Sequence, residues 1–528
     1  MRAFIALCLT LCLTLPFSGC TQHCTVLRTC PACLSGSPQG KQVAREIGYT
    51  RRQPVAALGC CVDCAAAAAR RLREAPDDAK AREDYNFAVA RIFEIIHDAK
   101  LQPWDAPVRV HGGDGDWLLT FKNGTHAELD PWHQDILPAD RYKFHGTYVK
   151  TRTLKGGLGA PLVTVGRGQD SAQTARLAQG EHTYYGMTGL LRFEGRECVL
   201  TAVDPLAVER VKLDGHSFPL AADFTAPLAL ALAQENLTSF SLQRQFRPQK
   251  FAHTARIERL QPYDASKIPV ICVHGLIDSP TTWVPIINTL RGDPEIRQRY
   301  QFWFYSYPSG YPYPHSAAIM RQQLDAINAR YPGHKKEVLI GHSMGGNICR
   351  TMISDSGMKL WDTFYRQPPE QIAIPEAARE TLRSALIFKH RPEVSRVIFI
   401  STPHRGSDAA AGWMGRIGKH LVRNPNPLLQ GAAAPNSIET LTPDNPFVKT
   451  ASSIPLTPGV PYHSIMGDRG KGGNRDQTKP VSTDSYVPYW SSHIAGAQSE
   501  LVVPSKHSAH QNEKAIEEVR RILLLHAR

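Results

Sequence analysis

The sixteen residues EVLIGHSMGGNICRTM, Glu337 to Met352, decide how the second half of this 528-residue chain folds. Val338, Leu339 and Ile340 are a short apolar run of the kind that makes a strand, and Asn347 to Met352 read as the first turns of a helix. Between them lies Gly341-His342-Ser343-Met344-Gly345, the G-x-S-x-G pattern of a nucleophile elbow. A serine hydroxyl is a poor nucleophile in water. The pattern therefore puts it on a tight turn, where a base can reach it and a helix N-terminus favours negative charge. Gly341 and Gly345 leave out Cβ atoms that would clash with the adjoining strand and helix. A glycine-rich strand-to-helix loop without chemistry has the same local pattern, so the rest of the chain must discriminate.

Outward from this stretch, strand-like and helix-like runs alternate. IPVICVHG, YQFWFYSYP, SRVIFISTP and VPYHSIMG have the apolar texture of strands, whereas TTWVPIINTL and SAAIMRQQLDAINARY have helical spacing. The rhythm predicts an α/β domain over 256–528, a mostly parallel sheet with helices on both faces. Such sheets bind ligands beyond the carboxyl ends of their strands, and Ser343 sits at such an end. An insertion at about 355–395, carrying Trp361, Phe364, Tyr365 and Ile374, is placed to cap those strand ends, as is the irregular stretch from Ala409 to about Pro455. The aromatics of such an insertion either form a small core or touch a substrate, and the small core is the commoner outcome.

Before residue 256 the texture differs. Residues 65–105 form a helix-rich segment broken near Pro76, and 106–255 carry short β-prone runs such as WLLTFKNG, LLRFEGRECVLTAVD and VERVKLDG separated by glycine and charged turns. These predict two packing helices and a small antiparallel β-rich accessory domain without a catalytic constellation. Besides Cys20, residues 20–64 hold Cys24, Cys30, Cys33, Cys60, Cys61 and Cys64, six of the 12 cysteines. Cys30-Pro-Ala-Cys33 and Cys61-Val-Asp-Cys64 are too far apart for a usual zinc ribbon, so disulfides of undetermined connectivity are expected in an exported chain. Cys198, Cys272 and Cys349 fall in apolar runs and read as small buried hydrophobes.

The N-terminus, MRAFIALCLTLCLTLPFSGC, pairs an early arginine with an apolar run from Phe4 to Phe17, too short for a confident membrane span and laid out as a secretory signal over 1–19. Its end, Ser18-Gly19-Cys20, resembles the bacterial lipobox, although Phe17 stands where an aliphatic residue is usual. That resemblance implies lipidation of Cys20, with Thr21 favouring an outer-membrane address in the bacterial envelope. An ordinary signal peptide cut nearby is the alternative. The formal charge of +13 comes from cations interspersed with acids, with no basic tract interleaved with aromatics, so no nucleic-acid partner is expected. The charge reads as a solvated surface, with an affinity for anionic lipid headgroups as the alternative. Nothing in the sequence sets an oligomeric state.

Four motifs in order, VICVHGLIDSPTTW, VLIGHSMGGN, VIFISTPHRGS and TDSYVPYWSSH followed by VPSKHSAH, resemble the α/β-hydrolase family, and within it the bacterial serine esterases and lipases. The resemblance begins near Ile268. It implies that Ser343 is the nucleophile, that backbone N–H groups of Leu276 and Met344 form an oxyanion hole, and that His274 and Gly275 shape the oxyanion loop, with His274 structural. The base must follow the nucleophile in the order Ser, acid, His. Among the later histidines, His507 comes after the strand-like Leu501-Val502-Val503 and before the last helix, where this fold delivers its histidine; His510 is the alternative in the same loop. Two aspartates compete for the acid. Asp468 directly follows VPYHSIMG. Asp484 matches lipases with an Asp-Gly-hydrophobic motif ahead of Ser-Ser-His, although Ser485 replaces that glycine here, and Asp484 is preferred. No cofactor is implied and no metal site is expected, because Asp468 and Asp476 lack cation-loop spacing.

Together these readings predict a membrane-anchored serine hydrolase that cleaves carboxylic esters through an acyl-enzyme, with an ester or lipid as substrate. Acyl transfer to an alcohol with the same residues, and a non-catalytic envelope binding or assembly lipoprotein, are the alternatives.

Overall fold

The computed structural model describes residues 24–29, 36–49, 54–123, 134–167, 182–234, 248–409, 437, 439–470 and 483–527. The signal-like segment, Cys20, Cys30, Cys33 and most of the stretch after Ala409 lie outside them. Among the described residues no helix is long and apolar enough to cross a membrane.

The N-terminal half begins with strand β1 (Thr25–Arg28) and helices α1 (Pro38–Tyr49), α2 (Leu58–Glu74) and α3 (Ala79–Asp98). Asp78 starts α3 by accepting the N–H groups of Lys80 and Ala81, both at 3.0 Å, two residues beyond the Pro76 break. The strands that follow are β2 (Val108–Gly112), β3 (Gly115–Asn123), β4 (Gln134–Pro138), β5 (Tyr142–His145), β6 (Ala160–Arg167), β7 (His182–Glu194) and β8 (Glu197–Val203). Six of them form a sheet in the order β2-β3-β8-β7-β6-β4, antiparallel except for the parallel pair β3–β8, while β1 pairs with β5.

Val62 and Leu72 of α2 and Phe93 of α3 share one core with Leu119, Leu162 and Leu200 of the sheet. The small side chains of Ala65, Ala68 and Ala69 are buried along α2. This corrects two expected divisions. The boundary after residue 64 falls inside α2, and the one after 105 separates helices from the sheet against which they bury their apolar stripe. Neither half of that core could stay dry alone. A further correction concerns the thiols: Cys24, Cys60, Cys61 and Cys64 are free. The last three ride on α2, where Cys61 turns into the core while Cys60 and Cys64, one turn apart, are half-buried.

After helix α4 (Ala226–Gln234), strand β9 (Arg256–Arg259) opens the second sheet. Then come β10 (Ile268–Val273), α5 (Val284–Gly292), β11 (Tyr300–Ser306), α6 (Tyr313–Arg330), β12 (Glu337–His342), α7 (Met344–Met352), α8 (Glu376–Leu386), β13 (Val394–Ile400), β14 (Tyr462–Gly467), β15 (Ser499–Val503) and α9 (Glu513–His526). The strand order is β9-β11-β10-β12-β13-β14-β15, with β9 antiparallel to β11 and every other pair parallel. Strand alternation feeds two cores. Val270, Cys272 and Ile340 pack with Ile287 of α5 and Val519 of α9, while Ile271, Val273 and Leu339 face Met320 of α6 and Ile348 of α7. A sheet covered in this way leaves only its strand ends open, in agreement with the α/β, mostly parallel class.

The two halves are tied by specific contacts. Arg297 grips Glu209 with two N–H groups, at 2.9 and 3.1 Å, and Asn288 of α5 donates to the Thr151 carbonyl at 3.0 Å.

Candidate active site

Ser343 lies in the single-residue link between β12 and α7, at φ 54° and ψ −127°. That left-handed conformation costs a non-glycine residue on the order of 1–3 kcal/mol and is held by its surroundings. The Ser343 N–H donates to the Ile400 carbonyl at 2.9 Å, which locks the turn to β13. Packing explains the glycines around it. A Cβ on Gly345 would stand 2.2 Å from the Val273 carbonyl oxygen, and one on Gly341 would stand 2.5 Å from Gly346 Cα.

The structure brings Ser343, His507 and Asp484 together. His507, on the loop after β15, places Nε2 2.8 Å from Ser343 Oγ and Nδ1 2.7 Å from Asp484 Oδ2. The other oxygen of Asp484 accepts the N–H groups of Tyr486 and Val487, at 2.9 and 2.8 Å. Burial raises the Asp484 carboxyl, but the His507 ring and these two donors outweigh it and hold the group below the usual carboxylate range. Gly467, at the end of β14, permits the convergence: a Cβ there would stand 2.9 Å from Asp484 Cβ and from the Ser505 and Lys506 carbonyl oxygens. Asp468, the competing acid, is buried and accepts the Gly470 N–H at 2.8 Å, while its own N–H donates to Val503. Ser485, in place of the family glycine, adopts φ 102°.

Leu276, on the loop after β10, lines the cavity beside Ser343. Met344 opens α7, so its N–H has no acceptor within the helix. Gly275 comes so near Ser343 that a Cβ would stand 3.0 Å from Ser343 Cβ. His274 is buried; its ring stacks on Tyr307 at 4.3 Å, and the Tyr307 hydroxyl donates to the His274 carbonyl at 2.6 Å. Its contacts brace the loop. His342 Nε2 donates to the His507 carbonyl at 2.9 Å, which fixes its tautomer and steadies the loop that carries His507.

His510, the alternative base, faces away from Ser343 chemistry. Its Nε2 lies 2.5 Å from Thr282 Oγ1, and burial, with the charge of His507, pushes it down to about 3. His342 is also driven well below the usual range, first by burial and then by the neighbouring histidines. With Asp278 these two rings form the nearest approach to a ligand set among the described residues, their donor atoms within 4.8 Å of one another. The 3.9 Å between His342 Nδ1 and Asp278 Oδ2 exceeds the roughly 3.4 Å edge of a tetrahedral zinc shell, and Asp278 already accepts the Ser279 N–H at 2.9 Å.

Ser343 opens into a cavity of about 420 Å³ with walls that include Leu276, Leu441, Tyr486 and Val487. Trp361 does not reach it. Its ring is wholly buried against Tyr365, and its N–H donates to the Gln367 carbonyl at 2.8 Å. Sequence reasoning missed Tyr148, a residue of the N-terminal half that also lines the cavity. Nothing local in GTYVK marks it, because the approach depends on how the two halves pack.

Residues 270–521 match the model of the alpha/beta hydrolase family. No curated protein matches the chain significantly. Among solved structures, the mature Bacillus licheniformis lipase BlEst2 is 17% identical over 49% of this chain and 93% of its own, with a TM-score of 0.31. The metagenomic carboxyl esterase MGS0156 is 16% identical over 46% and 65%, with a TM-score of 0.28. Esterase B from Lactobacillus rhamnosis is 15% identical over 51% and 80%, with a TM-score of 0.31.

Proposed function

Because residues 270–521 constitute a domain of the alpha/beta hydrolase family, we propose that this protein is a serine hydrolase of carboxylic esters that works through an acyl-enzyme on Ser343. The observation that carries the reading is the hydrogen-bonded series Ser343 Oγ, His507, Asp484, with its serine end open to the cavity.

In this reading Ser343 Oγ attacks the acyl carbonyl carbon and passes its proton to His507 Nε2. Asp484, ionised and buried, keeps the proton of the neutral ring on Nδ1 and stabilises the imidazolium. The N–H groups of Leu276 and Met344 receive the alkoxide, each worth on the order of 3 kcal/mol. Collapse breaks the bond to the leaving oxygen, which takes the proton from His507 and departs as the alcohol. Water then attacks the acyl-enzyme by the same route, giving the carboxylic acid and restoring Ser343.

The substrate side is an ester with an apolar acyl group, supported by the aliphatic and aromatic walls of the cavity. The lipobox-like Ser18-Gly19-Cys20 supports an address in the bacterial envelope with Cys20 as the lipid anchor, tested by labelled palmitate and Cys20→Ser. The activity is tested with a fluorophosphonate probe on the full chain. Wild type is labelled and Ser343→Ala is not; an unlabelled, folded wild type overturns the reading.

A further inference from the structure

Among the described residues that line the cavity, Tyr148 alone precedes Arg256. The way it is held suggests a rigid wall. The turn Gly146-Thr147-Tyr148-Val149 is closed by the Val149 N–H donating to the Gly146 carbonyl at 3.2 Å, which puts Tyr148 at its tip. Val149 is buried in the core formed with α5 and α9, and the Tyr148 ring packs against the same core.

Immediately downstream the chain is fastened three times. Asn288 of α5 donates to the Thr151 carbonyl at 3.0 Å. Arg152 pairs with the buried Asp223 and donates to the carbonyls of Ala139 and Tyr142. The Thr153 N–H donates at 2.7 Å to Thr225 Oγ1, which in turn donates to Asn288 Oδ1.

The polar end of Tyr148 is fixed as well. Its hydroxyl hydrogen-bonds Thr282, the residue that also meets His510 Nε2 at 2.5 Å and accepts from Gln511 Nε2 at 3.2 Å. Asp278, on the loop that carries Leu276, faces the same hydroxyl, and burial pushes the phenol up to about 12, so it stays neutral. An aromatic ring tied at its backbone and at its hydroxyl cannot swing aside for a ligand at small cost, so its bulk sets a limit on what the cavity accepts.

We propose that Tyr148 is a specificity-determining residue, through which the β-rich N-terminal half supplies a wall of the Ser343 cavity and limits the length of the acyl group it takes. The inference rests on the ester-hydrolase reading of that cavity. It also gives the N-terminal half a task in substrate choice beyond packing.

The test is kcat/KM for p-nitrophenyl esters from two to sixteen carbons, roughly in steps of two, on the full chain. Tyr148→Ala is expected to move the preference to longer acyl groups, raising the twelve-to-four-carbon ratio by about tenfold. Tyr148→Trp is expected to move it the opposite way, and Tyr148→Phe, which keeps the ring but frees it from Thr282, to move it toward longer groups by less than Tyr148→Ala does. Shifts of opposite sign from a smaller and a larger side chain are beyond a purely structural role. Ratios within twofold of wild type, or a uniform loss across all lengths, overturn the proposal. Failure of the underlying reading is separately visible, because wild type would then neither hydrolyse any of the esters nor take the fluorophosphonate label.

Discussion

Asp484 holds His507 Nδ1 at 2.7 Å with one carboxylate oxygen while the other accepts two backbone N–H groups from its own turn. Each oxygen has a separate task, so the carboxylate cannot rotate away from the ring without abandoning the turn. Replacing Asp484 by Asn keeps the shape but offers His507 the wrong tautomer. The expected result is a fall in kcat of about 10⁴-fold with KM little changed. Asp468→Asn, whose carboxylate serves the Gly470 N–H, is expected to stay within about threefold of wild type in kcat. Steady-state kinetics on one ester decides between the two; a larger loss for Asp468→Asn reverses the assignment.

The turn after Asp484 contains a strained residue. Ser485 sits at φ 102°, a region that suits glycine. Ser485→Gly is expected to stabilise the folded protein by about 1 kcal/mol, read as a higher Tm, because the gain from relieved strain exceeds the entropy that glycine adds to the unfolded chain. Activity should persist, since the N–H groups of Tyr486 and Val487 remain in place. A lower Tm would mean that the Ser485 side chain supports the turn.

How far the sequence carried this reading differs from residue to residue. Alternation in Val270-Ile271-Cys272-Val273 separates the two cores of the sheet directly, so the α/β class was legible. The serine elbow was legible for a local reason, since strand, turn and helix occupy adjacent residues. The acid was ambiguous because both aspartates stand near the end of β14 and Ser485 blurs the motif at one of them. The shared core of α2, α3 and the β-rich sheet was hidden, since Phe93 and Leu162 meet only through the tertiary fold. Tyr148 was invisible for the same reason: its meaning comes from α5 and Thr282, far away in sequence.

Asp278 makes stability depend on pH. Burial raises its carboxyl to about 6, against the partly offsetting Ser279 N–H, Thr282 and His507. In the unfolded chain the same group ionises near 4. Between these values the unfolded state releases its proton first, so the folded protein loses stability as pH rises from about 4 to 6, and the loss persists above that. With 22% of the side chain exposed, solvent screening reduces the effect, and the loss comes to about 2 kcal/mol. Asp278→Asn removes the ionisation. Its Tm advantage over wild type should be present at pH 7.5 and vanish near pH 3.5 in thermal melts. An advantage of equal size at both values would point to packing instead.

Trp361 separates a core aromatic from a substrate-facing one. It is 0% exposed, packs at a tilt against Tyr365 with ring centroids 4.7 Å apart and donates its N–H to the Gln367 carbonyl, all within the insertion that follows α7. Trp361→Phe deletes the smaller half of the ring system and leaves the Gln367 carbonyl without its donor. A loss of about 1–3 kcal/mol in unfolding free energy is therefore expected, measured by urea titration. The ratio of kcat/KM for long and short acyl esters should stay at the wild-type value, because no part of Trp361 reaches the cavity. The same ratio is the quantity that Tyr148→Ala and Tyr148→Trp are expected to move in opposite directions. A shifted ratio in Trp361→Phe at unchanged stability would transfer chain-length control from the N-terminal half to the insertion.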